Sequence, residues 1–192
     1  MKRTLILTLT IVLLLTTACQ PAVPGTTDTA SDAPAADAER TVTDARGNEV
    51  TIPANPQRVV TLTEIDLDSA LALGLTPVGS VNGRGQLELP AYLREMTDGI
   101  TSVGSLAEPS LEAIVALNPD LILAGNLIPA IEALLPELNK IAPVVATYQG
   151  SDDWKTTFGN VANLLNRQEE AAAFLAEYDA LAGQIAASLG DE

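Results

Sequence analysis

The pattern of apolar and polar positions divides the chain into four stretches. Residues 5–15 are apolar, and residues 20–40 contain almost no large apolar side chain. Residues 41–148 alternate short apolar runs with helical spacing, whereas residues 152–189 show helical spacing alone. Short β-branched runs between Gly and Pro are typical of buried strands, and apolar residues three or four positions apart are typical of amphipathic helices. The pattern therefore predicts βαβ units in the third stretch and helix in the fourth.

The third stretch predicts a small hairpin followed by alternating strands and helices. The hairpin pairs residues 41–44 with 49–52 around a Gly-Asn turn. The later strands are expected at 58–62, 77–81, 100–103, 120–124 and 143–148. The helices are expected at 66–73, 89–96, 110–117 and 129–141, and Pro136 should kink or divide the last one. Such alternation indicates a parallel sheet flanked by helices, whose ligands gather at the carboxyl ends of the strands.

The N-terminal residues indicate secretion rather than a membrane span. Two basic residues precede the apolar run at 5–15, which is shorter than the roughly 20 residues that a spanning helix needs. The run ends in Thr-Thr-Ala-Cys, similar to a bacterial lipobox, although Thr16 stands where Leu is usual. Cys19 is therefore the expected lipidation site; ordinary secretion is the alternative. Residues 20–40 are too polar to form a core and suit a disordered tether.

Composition excludes several classes of function. The net charge is −15, which argues against nucleic acid and anionic lipid as partners. The sequence contains no His, and Cys19 is its single Cys. Ser-His-Asp and Cys-His catalysis, and imidazole or thiolate zinc sites, are therefore excluded, and no resident metal or cofactor is expected. Aromatic residues make up only 3% of the chain, so few rings are present that could stack on a planar ligand such as haem or a corrin.

Three segments resemble one known family. They are TVTDARGNEVTIPANPQRVVTL at 41–62, SLEAIVALNPDLILA at 110–124 and EEAAAFLAEYDAL at 169–181. They are similar to substrate-binding proteins of ABC importers, in the class that takes up iron-siderophores, haem and vitamin B12. The resemblance implies two α/β lobes that are joined by one long helix, with the ligand held in the cleft between them.

The resemblance also gives a domain organisation. It implies a lipoprotein signal peptide at 1–18, a disordered tether at 19–40, an N-terminal α/β ligand-binding lobe at 41–150 and an inter-lobe linker helix at 151–192. The second lobe of the family is expected to be absent. The sequence would then be a fragment of a longer product or a truncated product with impaired function.

Five residues are candidates for ligand contact because they follow the predicted strands. Glu64 and Ile65 follow the first strand, Asn126 follows the fourth and Tyr148 ends the fifth. Arg84 lies between two glycines, and a guanidinium suits carboxylate or phenolate-type chelators. Simple roles in loops or in the core are the alternatives, and for Arg84 a solvated charge.

Other residues have less specific interpretations. Leu106 and Ala107 follow the third strand, at a place that is often aromatic in the family. Trp154 is expected to pack rather than to bind ligand. Asp66 and Asp68 are two positions apart on their predicted helix, so their carboxylates point in different directions. We therefore interpret them as helix-capping residues on a solvated face rather than as a pair that binds a metal.

The resemblance assigns Glu112 to docking on the permease. In this family the corresponding Glu enters an arginine-lined pocket, and charge pairing would set the orientation. The alternative is that Glu112 merely favours the first turn of its helix. Glu108 lies nearby and could share this role.

The leading hypothesis is a non-catalytic receptor. It is lipid-anchored and extracytoplasmic, works as a monomer, and delivers an iron-siderophore or similar chelate to an ABC permease and its ATPase. One alternative is a receptor for vitamin B12 or haem, although the absence of His weakens the hypothesis of a haem ligand. Another is a truncated non-functional product. A lipid-anchored α/β enzyme is the rival from another class; the sequence supplies no nucleophile elbow and no phosphate loop.

Overall fold

A two-stranded hairpin precedes the main sheet. The computed structural model describes residues 38–189, so the expected signal peptide, Cys19 and all but the end of the tether lie outside the described residues. Strands β1 (Glu39–Thr43) and β2 (Glu49–Pro53) pair antiparallel, as predicted. The buried Asp44 shapes the turn: its carboxylate accepts hydrogen bonds from the backbone N–H groups of Arg46 and Asn48 at 2.9 and 2.8 Å. This Asx-type bonding adds to the backbone hydrogen bonds of the turn, from Asp44 N–H to Asn48 O and from Gly47 N–H to Asp44 O.

The five predicted strands form one parallel sheet. They are β3 (Val59–Thr61), β4 (Gly79–Ser80), β5 (Thr101–Ser102), β6 (Leu121–Leu123) and β7 (Val144–Val145), in the spatial order β5-β4-β3-β6-β7. The chain adds β4 and β5 on one side of β3 and then β6 and β7 on the other. The order therefore reverses between β3 and β6, which is where open α/β sheets bind ligands.

Helices connect the strands. They are α1 (Glu64–Ala72), a 3₁₀ helix (Ala91–Met96), α2 (Leu111–Leu117), α3 (Pro129–Leu138), α4 (Trp154–Leu165) and α5 (Gln168–Leu189). Thr63 and Ser110 cap α1 and α2 with their side-chain oxygens, each accepting a backbone N–H of the first turn. Pro136 does not divide α3, which continues through that residue as one helix, and the kink that was the alternative stays a prediction.

Both faces of the sheet are buried. Alternate residues of each strand point to opposite faces, so Val59 joins one core cluster and Val60 the other. The first cluster contains α1, α4 and the hairpin; the second contains residues of α2 and α3. This double covering explains why the strands are continuously apolar rather than alternating.

The C-terminal region contains two helices where the sequence suggested one from 151 to 192. Asn166 adopts a left-handed conformation (φ 56°) and ends α4, and α5 begins two residues later. Helix α4 is part of the lobe, since Phe158, Val161 and Leu165 are buried in its core. The described part of any linker is therefore α5 alone.

Helix α5 carries an exposed apolar stripe. Its members are Phe174, Tyr178, Leu181, Ile185 and Leu189, with exposed fractions from 38% to 73%. The first half of α5 packs on α4 through the ring pair of Trp154 and Tyr178 and the ion pair of Lys155 and Asp179.

Among the helices between residues 38 and 189, none is both long and apolar enough to cross a membrane.

The turn of the hairpin provides a test of its stabilising bonds. We expect Asp44→Ala to lower the free energy of unfolding by about 2 kcal/mol, because two backbone donors of the turn and the Asn48 amide lose their acceptor. Urea unfolding followed by far-UV circular dichroism measures this. Glu49→Ala, at an exposed position of β2, is the control and should stay within about 0.5 kcal/mol of the parent. An equal loss in both variants would contradict the role of Asp44.

Candidate functional site

A pocket of about 370 Å³ lies at the carboxyl ends of the parallel strands. We call it the edge pocket. It is lined by residues 63–65, 81–86, 105–107, Asn126, Ile128 and Tyr148, from the loops after all five strands. The five predicted ligand contacts all line it: Glu64, Ile65, Arg84, Asn126 and Tyr148. Leu106 and Ala107 line it too. The structure thus brings these residues together, while ligand contact itself stays a prediction.

The loop after β4 presents Arg84 to the edge pocket. The backbone N–H of Arg84 donates to Glu64 Oε1 at 2.5 Å, and that of Gln86 donates to Gly83 O at 2.8 Å. Gly85 has a φ of 71°, a conformation that glycine adopts without strain. Arg84 is the one cation among the described residues that line the pocket, and its side chain is exposed. It can therefore donate hydrogen bonds to an oxyanion without breaking an ion pair.

A buried carboxylate holds the loops of the edge pocket in place. Asp66 is fully buried and accepts the Thr63 hydroxyl at 2.7 Å, the Gly125 N–H at 2.9 Å and the Thr147 hydroxyl at 2.5 Å. These donors come from the loops after β3, β6 and β7. Each lies beside a residue that lines the pocket. The expectation of a solvated face for Asp66 is therefore wrong, although it does lie in the first turn that Thr63 caps.

Burial changes the titration of Asp66 and Tyr148. Desolvation raises the pKa of Asp66 from 3.8 to about 6, and the three hydrogen bonds only partly offset it. Burial also raises the pKa of Tyr148; the charge of Asp66 adds to this shift, and Arg84 opposes it. The phenol is therefore protonated at neutral pH and can donate a hydrogen bond to a ligand.

Gly125 is required where β6 meets the edge pocket. Its φ is 56°, and a Cβ atom built there would lie 2.4 Å from Thr63 Cγ2. The position admits no side chain, because the backbone must approach Thr63 and Asp66 closely. No signal short of this contact distinguishes Gly125 from other loop glycines in the sequence.

Asp68 does not share a site with Asp66. Both of its carboxylate oxygens accept the Tyr92 hydroxyl at 2.9 Å, which ties the 3₁₀ helix to α1. Burial raises the pKa of Asp68, and the hydrogen bond from Tyr92 opposes the shift.

Within residues 38–189, no three His, Cys, Asp or Glu side chains are grouped so that they could hold a metal ion.

A second and larger cavity, of about 520 Å³, lies beside the edge pocket. We call it the aromatic groove; its apolar lining is Ile65, Ala72, Tyr148, Trp154, Phe158 and Phe174. Four of the six aromatic residues of the chain are therefore gathered here, despite the low total. Trp154 packs as predicted, in a T-shaped contact with Tyr178 (centroids 4.8 Å apart), but 47% of it remains exposed. The smaller edge pocket remains the better candidate site, because it alone collects the loops of all five strands.

The two predicted docking carboxylates lie on the segment that leads from the edge pocket into α2. Glu112 is in the first turn of α2, and Glu108 follows Ala107, which lines the pocket. Both are exposed, and neither forms an ion pair with another described residue. They face solvent at the same edge of the sheet as the pocket, which leaves their docking role open as a prediction.

Comparison with known proteins shows clear similarity. The family model described as "Periplasmic binding protein" matches residues 59–190. The "Probable siderophore-binding lipoprotein YfiY" of Bacillus subtilis is 37% identical over 153 residues, which cover 80% of this chain and 46% of that protein. The "Fe(3+)-citrate-binding protein YfmC" of the same organism is 33% identical over 156 residues, which cover 78% and 47%.

A solved structure agrees with these relatives. Staphylococcus aureus SirA, crystallised with staphyloferrin B, matches with a TM-score of 0.64 and 33% identity, over 73% of this chain and 47% of that one. The chain therefore spans about half the length of the relatives it matches. The predicted class of protein and its parallel α/β lobe are thus confirmed.

The titration of Asp66 gives a prediction with a defined sign. Its pKa in the folded chain, about 6, is higher than the ordinary 3.8, so ionisation lowers the stability at neutral pH by about 3 kcal/mol. That cost is relieved as the pH falls through about 6 towards about 4. Asp66→Asn imitates the protonated form, so its stability advantage over the parent should shrink over this range. Urea unfolding at several pH values measures the difference.

Asp66→Ala is the matched comparison. It leaves the Gly125 N–H and two hydroxyls without their acceptor, so we expect it to be less stable than Asp66→Asn by about 3 kcal/mol at every pH, since neither variant titrates at this position. The Asn variant can still accept from Gly125 and donate to the Thr147 hydroxyl. If the Asn and Ala variants are equally stable, the hydrogen-bonding role of Asp66 is wrong.

Proposed function

The chain belongs to the periplasmic binding protein family, and on that premise we propose that it is an extracytoplasmic solute receptor that captures an iron-siderophore-type chelate. The receptor delivers the chelate to an ABC permease, which its ATPase drives, and a lipid on Cys19 anchors it. Relatives named for siderophore and ferric citrate binding support this substrate class. No step of this function breaks a covalent bond, and neither His nor Cys lines the edge pocket.

The observation that carries the proposal is the edge pocket with Arg84 at its wall. The pocket lies where the strand order reverses, and loops from five strands surround it. Ferric chelates present negatively charged oxygens around the metal. Arg84 supplies charge-assisted donors to such oxygens, and the protonated Tyr148 and the amide of Asn126 supply neutral ones.

We assign α5 to the connection with a second lobe. The helix leaves the lobe after its contacts with α4, and its exposed apolar stripe continues to Leu189. In a longer product, a second lobe would cover the chelate from the opposite side. The described lobe therefore offers one wall of the cleft, so affinity for the chelate should be lower than in a two-lobed protein.

Arg84 gives the direct test of chelate capture. We expect Arg84→Ala to weaken binding of ferric citrate about tenfold or more, because a charge-assisted hydrogen bond contributes about 1.5–3 kcal/mol. The measurement is isothermal titration calorimetry on the 192-residue chain. Arg94→Ala is the control, since Arg94 is an exposed arginine of the 3₁₀ helix that does not line the edge pocket.

Two results would count against the proposal. Equal affinities in Arg84→Ala and the parent would remove Arg84 from the site. A parent chain that binds neither ferric citrate nor a ferric trihydroxamate would argue against chelate capture itself.

Glu112 gives the test of delivery. We expect Glu112→Arg to weaken association with the permease about tenfold or more, since a reversed charge at the rim of an interface meets the partner's arginines. Glu108→Arg should have a smaller effect of the same sign. Chelate affinity should not change in either variant. Surface plasmon resonance against the permease in detergent, at two salt concentrations, measures docking.

Glu49→Arg makes the same charge change on the exposed face of β2 and serves as the control. If it impairs docking as much as Glu112→Arg, net charge rather than a specific contact is responsible. If Glu112→Arg binds the permease as tightly as the parent chain does, Glu112 is not a docking residue.

A further inference from the structure

The aromatic groove has the dimensions and composition of a small-molecule site. Its volume of about 520 Å³ falls within the 300–1,000 Å³ that is usual for ligand pockets. Three aromatic side chains of its lining remain open to solvent in part: Tyr148, Trp154 at 47% and Phe174 at 38%. Covering such rings with an apolar group removes apolar surface from water, which favours binding.

Contacts between α4 and α5 hold the groove open. Trp154 is fixed by Tyr178, and the rings of Phe158 and Phe174 lie 5.1 Å apart in a tilted contact. The ion pair of Lys155 and Asp179, at 2.6 Å, joins the same two helices. On the facing wall, Ala72 is the last residue of α1, and its small side chain leaves the space unfilled.

The groove adjoins the edge pocket. Ile65 and Tyr148 line both cavities, so a molecule seated in one can extend across these two side chains into the other. Ile65 is 43% exposed although it is a large aliphatic residue of the first turn of α1. A ligand that spans both cavities would cover it.

The charges of the two cavities differ. Among the described residues, the edge pocket is lined by one cation, Arg84, and by the carboxylate of Glu64, which accepts the Arg84 backbone N–H; the groove is lined by the carboxylates of Asp68 and Asp152 and by no cation. Both carboxylates of the groove already accept hydrogen bonds, from Tyr92 and from the Gln149 N–H. An anionic substituent is therefore disfavoured in the groove, and an uncharged apolar one is favoured.

We propose that the aromatic groove is a second subsite, which holds an uncharged alkyl or aryl arm of a chelate whose metal-binding head lies in the edge pocket. This inference rests on the proposed function, because it takes the edge pocket as the site of the head. It defines the substrate class further: an amphiphilic chelate with its oxygen-rich, metal-binding head at one end. The shared Ile65 and Tyr148 form the passage between head and arm.

The groove is tested first without any chelate. N-phenyl-1-naphthylamine is an uncharged probe that fluoresces in apolar sites, and Trp154 can transfer energy to it. We expect saturable binding of one probe to each 192-residue chain. Ala72→Phe should weaken it about tenfold or more by filling the groove. Ala116→Phe, at an exposed alanine of α2, should bind like the parent.

The arm is then tested with a matched pair of chelates, N-acetyl and N-octanoyl ferrioxamine B. They share one uncharged ferric trihydroxamate head and differ only in the length of the arm. We expect the octanoyl compound to bind the parent chain about tenfold more tightly than the acetyl compound, and Ala72→Phe to erase the difference. Phe174→Ala, which removes one wall of the groove, should reduce it as a second variant.

Each outcome decides one of the two proposals. Unsaturable binding of the fluorescent probe, or equal binding by Ala72→Phe, overturns the subsite. Equal affinities of the two chelates for the parent also overturn it and leave chelate capture intact. If neither these chelates nor ferric citrate binds while the probe behaves as expected, the groove is a ligand site and the proposed function is at fault. Urea unfolding midpoints of the variants establish that each is folded.

Discussion

The hydrogen bonds of Asp66 determine where the loops around the edge pocket lie. A carboxylate that is buried without donors would be costly, so the native position of Asp66 depends on the Thr63 and Thr147 hydroxyls and the Gly125 N–H. The loops depend equally on Asp66, because it is their common acceptor. Three segments that are distant in the chain are thereby held at fixed positions beside Glu64, Asn126 and Tyr148. The pocket is thus preorganised by a group that does not line it.

The sheet explains why a pocket exists at this edge. Successive crossovers on opposite sides of β3 carry the chain away in two directions, which leaves a depression between the loops after β3 and β6. The loop after β4 then turns Arg84 towards it, held through its backbone N–H by Glu64. The guanidinium stays free for an oxyanion in a chain that is otherwise strongly acidic. A localised positive charge in an acidic protein favours an anionic group at that one place.

The aromatic residues show how a scarce residue type can still define a surface. Low aromatic content argued against a stacking site, yet α4 and α5 bring most of these side chains to one groove. Trp154 packs against Tyr178 and stays partly exposed, and the buried Phe158 supports the partly exposed Phe174. A polar pocket and an apolar groove therefore meet at Ile65 and Tyr148. This pairing suits a ligand whose two ends differ in polarity, and neither cavity alone would indicate it.

Local features of the sequence determined the elements of the fold. Buried strands, the cap at Ser110 and the hairpin turn depend on residues within a few positions of each other, so their pattern is visible in the chain. The loops of the edge pocket followed from them, because parallel strands place their carboxyl ends at one edge. The end of α4 at Asn166 was missed, since apolar residues at helical spacing continue on both sides of it and Asn occurs within helices as well as at their left-handed ends. The burial of Asp66 was decided by the tertiary structure alone, because two of its partners lie 59 and 81 positions away. Helical spacing places Asp66 on one face of α1, but only the packing of the whole lobe determines that this face is buried.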